Sequence, residues 1–526
     1  MATRWRESRS VLLLVAIVVP PLALVLLWIR SKGTVLSKLV GSLAIVGLTV
    51  VYLVTFFGLR VELSGTGIVP IFSFGSAESH YSALEKHRVA QEALGMTSEP
   101  FTPKEGVPAR VSSAVAKSLT ATTPAETFID PSEAPGDIQG SRYWTSFRGP
   151  QMDGHYREMD ILTDWPPDGL PPLWRQPVGG GYASFVVADG RAFTIEQRRK
   201  EETVAAYELR TGREIWTHAW KAEFSETMGG DGPRATPTWH DGRLYALGAT
   251  GELKVLEAET GELVWELNIL SDNGATNLRW GMAASPLIVD EKVVVLPGGP
   301  KGRSVAAYHK LTGEPVWKSL NDAQAYTSPM LVDLVSTRQI LVVSRERAMG
   351  LVPEDGSILW DYSWKTSYGV NAAQPIILGE NRFFISAGYG HGAAVVEIVR
   401  DGGRFSASTL WETTRMKNQF SASVIYDGYF YGLDGAILSC IDAETGERMW
   451  KGGRYGHGEV LLASGHLIVS TEGGDLALVK ATPESHQELA RFGAIRGKTW
   501  NHPAIADGIL LVRNASEMAA FRISSR

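Results

Sequence analysis

Cysteine is almost absent from this sequence, which contains one Cys among 526 residues. A single thiol excludes an intramolecular disulfide, a Cys-based zinc cluster and a CxxCH haem attachment. Basic residues are slightly outnumbered, since 51 Lys and Arg stand against 57 Asp and Glu, for a net charge of −6. A net negative chain is a poor generic binder of nucleic acid, so we predict no nucleic-acid partner.

Glycine and tryptophan are plentiful by contrast, with 55 Gly and 16 Trp. Their abundance indicates an architecture with many tight turns and a recurring large aromatic side chain. The hydrophobic fraction of 44% and the charged fraction of 21% are those of a folded protein, which excludes wholesale disorder.

The first 60 residues have the pattern of a membrane anchor. Two charge-free apolar runs, residues 11–29 and 39–59, each approach the roughly 20 residues that cross a bilayer as a helix. We therefore predict two transmembrane helices within residues 1–60, with a kink at Pro20-Pro21. The alternative is a signal-like first run followed by a single span. Basic residues are balanced between the tail and the intervening loop, so the positive-inside rule leaves the orientation open.

Residues 61–140 are rich in Ala, Ser, Thr and Pro and show no sustained strand pattern. This composition predicts a flexible linker, with a disordered tether over residues 111–137. A short helix over residues 79–94 is compatible with the sequence, and a small helical subdomain is the alternative to a linker.

The remainder of the chain is repetitive. A Thr-Gly or similar turn followed by Trp recurs about every 45 residues. The seven tryptophans at this phase, with Phe492 in the eighth place, are Trp174, Trp216, Trp265, Trp317, Trp360, Trp411 and Trp450. Between them recurs an apolar strand, an Asp-Gly-like turn and another strand.

Four short strands per repeat of this length are typical of a β-propeller blade. We predict an all-β domain over residues 141–526, an eight-bladed β-propeller with blades from about residue 170 and seven blades as the fallback. The first Trp strand has no repeat before it, and the last repeat lacks an outer strand. The N-terminal strand is therefore expected to complete the last blade and remove the open edges.

The recurring tryptophans are predicted to be structural. A Trp at one place in every outer strand can pack against the next blade and donate its indole N–H to a backbone carbonyl. The glycine of the Thr-Gly turn lets that backbone approach closely.

The segment Ile441–Trp450 resembles the tryptophan-docking repeat of the PQQ-like β-propeller family, and Leu256–Trp265 is similar to it. The family includes quinoprotein dehydrogenases and the non-catalytic outer-membrane assembly factor of the BamB type. The stretch Trp144–Pro150 looks like the lead-in of a bacterial subgroup of such repeat proteins. A dehydrogenase resemblance implies PQQ over the central channel, a Ca²⁺ ion and an Asp base, and in many members an adjacent Cys pair. Cys440 is alone, so we expect no cofactor and reserve PQQ with Ca²⁺ for the alternative function.

Residues that enter each innermost strand are predicted to line a central funnel. They are aromatic and basic, which suits an anionic or planar ligand better than a Ca²⁺ site, although they are also compatible with merely filling the channel. The candidate ligand-binding residues are Tyr182, Arg234, Trp280, Tyr326, Asn371, Lys417, Asn418, His457, Lys498 and Trp500. No catalytic residue and no metal site are predicted.

The sequence thus favours a membrane-tethered, non-catalytic binding or assembly scaffold, monomeric and with protein or peptide partners. The resemblance implies a bacterial membrane with the propeller on the periplasmic, extracytoplasmic side. The alternative function is a membrane-bound PQQ-dependent dehydrogenase that oxidises an alcohol or a sugar.

Overall fold

A computed structural model describes residues 15, 20–29, 34–57, 59–63, 70–74, 77–93, 143–226 and 229–524. The predicted tether over residues 111–137 lies outside these ranges. The elements before the propeller are helices α1 (Pro20–Ile29), α2 (Val35–Phe57) and α3 (Ala77–Ala93), and strands β1 (Leu59–Leu63) and β2 (Pro70–Phe74).

Helix α2 contains the candidate membrane span. Among the described helices it is the one that is long and apolar enough to cross a membrane, over the 21 residues Val35–Thr55. Helix α1 packs against it, with Trp28 Nε1 donating to Ser42 Oγ at 2.9 Å. Only ten residues of α1 are described, so the structure supports one of the two predicted spans. The predicted kink involves residues before Pro20, and apart from Val15 these lie outside the description.

Ordered elements also occur where the sequence predicted a linker. Strands β1 and β2 pair as an antiparallel hairpin, and α3 covers most of the helix considered for residues 79–94. Helix α3 contacts the propeller, since Arg88 Nε donates to Glu214 Oε1 at 2.8 Å. The linker is therefore not structureless over its whole length.

Eight four-stranded antiparallel blades form the body of the protein, which confirms the predicted eight-bladed propeller rather than the seven-bladed fallback. Blades I to IV contain β5 (Val186–Ala188), β6 (Arg191–Arg198), β7 (Glu201–Glu208), β8 (Glu214–Lys221); β9 (Thr238–His240), β10 (Arg243–Leu247), β11 (Glu252–Glu257), β12 (Leu263–Asn268); β13 (Leu287–Val289), β14 (Lys292–Val295), β15 (Val305–His309), β16 (Pro315–Ser319); and β17 (Met330–Leu334), β18 (Thr337–Val343), β19 (Arg347–Leu351), β20 (Ile358–Ser363). A short helix, α4 (Ile269–Asn273), follows β12.

Blades V to VIII contain β21 (Ile376–Leu378), β22 (Arg382–Ala387), β23 (Gly392–Asp401), β24 (Arg404–Thr413); β25 (Val424–Tyr426), β26 (Tyr429–Asp434), β27 (Ile437–Asp442), β28 (Arg448–Arg454); β29 (Glu459–Ala463), β30 (His466–Ser470), β31 (Asp475–Lys480), β32 (Glu488–Gly493); and β33 (Ala504–Ala506), β34 (Ile509–Arg513), β35 (Glu517–Arg522) with β4 (Pro172–Pro177). The short strand β3 (His155–Tyr156) adds to β29 in parallel.

The ring closes as predicted. Strand β4, from the start of the domain, pairs antiparallel with β35 near the C-terminus, with Trp174 opposite Ala520. Blade VIII is thus built from both ends of the domain, which joins the ends and leaves no incomplete blade.

The propeller has two distinct faces. The turn between the first two strands of a blade and the turn between its last two strands lie together, because Leu209 N–H donates to Gly190 O and Ala443 N–H donates to Gly428 O, both at 2.9 Å. We call this side the turn face. The loops that lead into each innermost strand lie on the opposite side, which we call the funnel face.

Six of the recurring tryptophans donate their indole N–H to a backbone carbonyl of the next blade. The acceptors of Trp174, Trp216, Trp265, Trp317, Trp411 and Trp450 are Leu209, Ala258, Lys310, Pro353, Ala443 and Thr482, at 2.8–3.1 Å. The ring also lies over a turn glycine of that blade: a Cβ added to Gly313 would lie 2.7 Å from the Trp265 ring. Trp360 differs, because its indole donates to Gln339 Oε1 of its own blade.

Candidate functional site

The central channel is filled from the turn face by residues 143–156, which we call the plug. At its start, Trp144 and Val187 of β5 exchange backbone hydrogen bonds at 2.8 and 2.9 Å, and Thr145 O accepts from Trp239 N–H of blade II. At its end, His155 of β3 is paired in register with Leu462 of β29. The segment therefore enters at blades I and II and leaves at blade VII.

Arg148 is the centre of the plug. Its side chain is 2% exposed and donates to Ser423 O of blade VI at 2.7 Å and to Asp153 O of the plug at 3.1 Å. The neighbouring Phe147 ring meets His502 of blade VIII edge-on, with centroids 4.9 Å apart. Two consecutive plug residues thus contact two different blades across the channel.

The plug covers a buried ionisable cluster formed by Arg148, Glu459 and His502. His502 Nε2 lies 2.8 Å from Glu459 Oε2. Burial raises the pKa of Glu459 and lowers the pKa of His502, while burial lowers the pKa of Arg148 to about 10. Burial therefore disfavours the charged form of each of these three groups, and the nearby Arg148 guanidinium partly offsets this for Glu459.

Four predicted funnel residues lie together on the funnel face. The Tyr182 and Trp500 rings are 5.5 Å apart, Arg234 lies 5.5 Å from the Tyr182 ring, and Lys498 lies 4.3 Å from the Trp500 ring. Arg234 also donates to two backbone carbonyls of its own loop, and burial lowers its pKa. The arrangement is a pair of neighbouring aromatic rings with a cation beside each ring.

A second group contains Trp280 and Tyr326, whose ring centroids are 5.7 Å apart. Arg279 lies 5.3 Å from the Trp280 ring, and burial raises the pKa of Tyr326 to about 12. Farther round the rim, Tyr368 and Tyr389 meet edge-on at 5.4 Å, and Tyr368 is 68% exposed. The funnel face therefore has an aromatic rim as well as an aromatic centre.

The other predicted funnel residues are bound to neighbouring groups of the propeller. Asn371 donates to Ser344 O at 2.9 Å, and Asn418 donates to Leu433 O at 3.2 Å. Lys417 pairs with the buried carboxylate of Asp434 at 2.6 Å. These contacts stabilise loops, and the structure does not bring these three side chains into the aromatic groups.

His457 is 3% exposed and joins the first group through a residue that was not predicted. Phe420 lies 5.4 Å from the His457 ring and 4.6 Å from the Trp500 ring. Glu472 was also not predicted; its carboxylate accepts from Trp500 Nε1 at 3.0 Å and from His457 N–H at 3.2 Å. Burial lowers the pKa of His457. Phe420 follows the predicted Lys417 and Asn418 closely, whereas Glu472 lies in a turn with no distinguishing sequence signal.

The donor set of the funnel fits Ca²⁺ poorly. A Ca²⁺ site needs about six to eight oxygen ligands. No group of three or more Asp, Glu, His or Cys side chains with metal-binding geometry occurs in the residues that the structure describes. The Glu472 carboxylate is engaged by Trp500 and His457. Aromatic and cationic groups such as Tyr182, Arg234 and Lys498 fit a planar anion better than they fit a metal ion.

Eight closed blades around a plugged channel define an eight-bladed β-propeller. A family model described as "Outer membrane protein assembly factor BamB" matches residues 200–452. BamB of Bordetella pertussis is 22% identical over 310 residues, which cover 57% of this chain and 72% of that protein. These matches support the predicted resemblance to the PQQ-like β-propeller family.

Solved structures share the fold. BamB from Moraxella catarrhalis matches with a TM-score of 0.50 and 13% identity, covering 68% of this chain and 98% of that one. A europium-containing methanol dehydrogenase matches with a TM-score of 0.56 and 12% identity, covering 73% and 99%. At such identities the likeness concerns the fold alone, and it includes both an assembly factor and a dehydrogenase.

Proposed function

We propose that this chain is a membrane-tethered, non-catalytic scaffold that binds protein partners during assembly at a bacterial membrane, with a monomeric propeller on the extracytoplasmic side. The family model and the relative from Bordetella pertussis, both named for an outer-membrane assembly factor, support this function. Helix α2 supplies a candidate tether.

The plugged channel is the observation that carries the proposal. Arg148 and Phe147 fill the centre of the ring and contact blades VI and VIII, so the channel is built as a packed core rather than as an open passage. The surfaces left for recognition are the faces and the outer edges. Strand β24 is the longest outer edge, and its residues 405–411 carry no charge, which suits pairing with an extended segment of a partner.

Affinity purification of the full chain from gently solubilised membranes tests the proposal. We expect a protein partner to co-purify in a defined ratio. A matched variant changes both Ser406 and Ser408 on the β24 edge to Lys, which blocks strand pairing at this edge without altering the ring. Loss of the partner from this variant would place the partner on the β24 edge. Absence of any partner from the unchanged full chain would contradict the scaffold.

The dehydrogenase remains the second candidate, supported by the fold shared with the europium-containing methanol dehydrogenase and by the aromatic and cationic funnel centre. Were PQQ bound there, Arg234 and Lys498 would face its carboxylates and Trp500 would lie against its ring system. Titrating the full chain with PQQ and Ca²⁺, followed by absorbance and by dye-linked oxidation of alcohols and sugars, tests this function. Saturable binding with turnover would replace the scaffold, and the absence of both would remove the alternative.

The side of the membrane is tested separately. A reporter enzyme that is active only outside the cytoplasm, fused to the C-terminus, should be active in cells. Activity of a matched cytoplasmic reporter at the same position would reverse the proposed orientation.

A further inference from the structure

Helix α3 lies along the outside of the propeller, in the seam between blades VIII and I. Arg88 Nε donates to Glu214 Oε1 at 2.8 Å, and Gln91 Oε1 accepts from Glu214 N–H at 3.2 Å. His87 Nε2 lies 3.1 Å from Gln176 Oε1 of β4. Gln91 is 7% exposed, so the helix is seated in the seam rather than resting on the surface.

The two ends of α3 lie toward opposite faces of the propeller. Near its start, Glu78 pairs with Arg199 at 2.9 Å and His80 Nε2 lies 2.8 Å from Val178 O. Arg199 is in the turn between β6 and β7, and Val178 follows β4, so both belong to the funnel face. Near its end, the helix contacts Glu214, the first residue of β8 after a turn of the turn face. Helix α3 therefore runs from the funnel face toward the turn face.

The candidate membrane span ends close to the start of α3. Leu59 of β1 is paired with Phe74 of β2, so the hairpin brings its two ends together. Phe57, the last residue of α2, and Ala77, the first residue of α3, are consequently at most about 25 Å apart. Helix α3 itself is about 25 Å long, so its two ends are separated by about that distance. Because α3 starts beside the funnel face at blades VIII and I, this face lies within reach of the short connection from the span.

The charges of the two faces differ in the same sense. An acidic residue occupies the turn between the first two strands in six of the eight blades, at Asp189, Asp241, Asp290, Glu380, Asp427 and Asp507. Loops of the funnel face expose both signs of charge, with Lys200, Arg279 and Lys365, the last paired with Glu346 at 3.0 Å, and they also expose the aromatic Tyr368. Aromatic and basic side chains are favoured at a membrane interface, whereas carboxylates are repelled by anionic headgroups.

We infer that α3 clamps the propeller with its funnel face against the lipid bilayer, so that the turn face, with the plug entrance, points away from it. The inference rests on the proposed membrane tether. The funnel centre then opens toward lipid headgroups, and partners that arrive from the aqueous side meet the acidic turn face. A bilayer against the funnel face accounts together for the direction in which α3 runs, the short connection to α2 and the charge difference between the faces.

Fluorescence quenching by lipids tests the inference on two faces of one blade. In a Cys440→Ala background, the full chain carries Lys365→Cys on the funnel face of blade IV or, as the matched control, Glu354→Cys on its turn face. Each variant is labelled with an environment-sensitive dye and placed in nanodiscs of phosphatidylcholine and phosphatidylglycerol with headgroup-region doxyl lipid. We expect quenching at position 365 to exceed that at 354 by roughly twofold or more.

A third label, Lys200→Cys, lies on the funnel face beside α3 and separates two orientations. Quenching at 200 and 365 together supports a propeller that lies face-on, whereas quenching at 200 alone would mean an edge-on propeller and overturn the inference. Equal quenching at 365 and 354, or stronger quenching at 354, would also overturn it. If the dye at position 365 stays shielded from water in detergent as well as in nanodiscs, a protein and not lipid covers this face. That result would also overturn the inference.

The clamp itself is tested by the double variant Arg88→Ala with Gln91→Ala, which should remove the difference between positions 365 and 354. Circular dichroism verifies that the variant is folded. A Gln91→Cys and Gln176→Cys pair, joined by a short cross-linker in membranes, should form an intramolecular link, and its absence would contradict a seated α3. Flotation of the full chain with vesicles separates failure of the membrane tether from failure of the inference. If the chain does not float, both are overturned. If it floats but quenching at 365 does not exceed that at 354, only the inference is overturned.

Discussion

The contact between Trp265 and Gly313 gives a sharp test of how the blades hold together. Gly313 has φ of +73°, and a Cβ at this position would lie 2.7 Å from the Trp265 ring. Gly242, in a turn of the same face, has φ of +75° and nothing within 4 Å of an added Cβ. Alanine at either position has the same unfavourable backbone, but only at Gly313 does it collide with a tryptophan.

The two substitutions should therefore differ in stability. A non-glycine residue in the left-handed region costs about 1–2 kcal/mol, which is the loss expected for Gly242→Ala. Overpacking adds about 1–3 kcal/mol, so Gly313→Ala should lose more by that amount. Trp265→Ala should cost about 3–5 kcal/mol, because it removes a buried ring and leaves Lys310 O without its indole donor.

Denaturant unfolding of the full chain in detergent, followed by far-UV circular dichroism, measures these losses as shifts of the midpoint at constant slope. In the Trp265→Ala background, the added cost of Gly313→Ala should fall to that of Gly242→Ala, since the ring that it strikes is gone. Equal costs for Gly313→Ala and Gly242→Ala in the natural background would refute the inter-blade contact as a source of stability.

Three further perturbations have defined outcomes. Arg148→Met should destabilise the protein by about 3 kcal/mol, since charge-assisted hydrogen bonds contribute roughly 1.5–3 kcal/mol each, and limited proteolysis should then cut the plug; an uncut plug would contradict this. Burial raises the pKa of Glu202 to about 7, so stability should fall as pH rises from about 5 through 7, and Glu202→Gln should remove this slope, whereas an unchanged slope would refute the assignment. Burial raises the pKa of Cys440 to about 12, so a maleimide should modify it only after unfolding, as mass spectrometry would show.

The blades were predictable because their signals are local and repeated. Each repeat has a turn glycine, apolar strands and an outer tryptophan or its replacement. Because the pattern occurs eight times, it can be recognised even where a single copy departs from it. Even the closure by β4 followed from counting the strands, since one Trp strand preceded the first full repeat and the last repeat lacked an outer strand. The seam that holds α3 was not predictable, because it depends on long-range contacts such as Arg88 with Glu214 that have no sequence period.

The funnel was predicted only in part, for a physical reason. Position before an innermost strand fixes the face on which a residue lies, and this was enough for Tyr182, Arg234, Lys498 and Trp500 to be found together. Position does not fix where a side chain points, so Lys417 instead reaches Asp434. The plug has no repeat and no regular alternation, and its role emerges only when the ring around it is closed.

Blade V shows why one exception in the repeat matters. Its last hairpin, β23 with β24, has strands of ten residues each, so the turn at Gly402 and Gly403 lies several residues beyond the usual place. Trp360 of blade IV therefore has no turn glycine to cover; its indole bonds to Gln339 and its ring stacks on Phe383 at 5.4 Å.

The outer strands of blades IV and V are joined in another way at this place. Tyr362 Oη and Thr409 Oγ1 lie 2.8 Å apart across the two blades, and Phe405 and Ala407 pack against the core that the blades share. The longer hairpin thus lacks the usual contact between a turn glycine and the tryptophan of the preceding blade. The side-chain contacts with blade IV replace it and hold the projecting strands against the ring. A long, firmly held outer edge without charge at its centre is an unusual exposure for a natural sheet. An extended segment of the proposed partner could pair with this edge and satisfy the backbone groups that it leaves open.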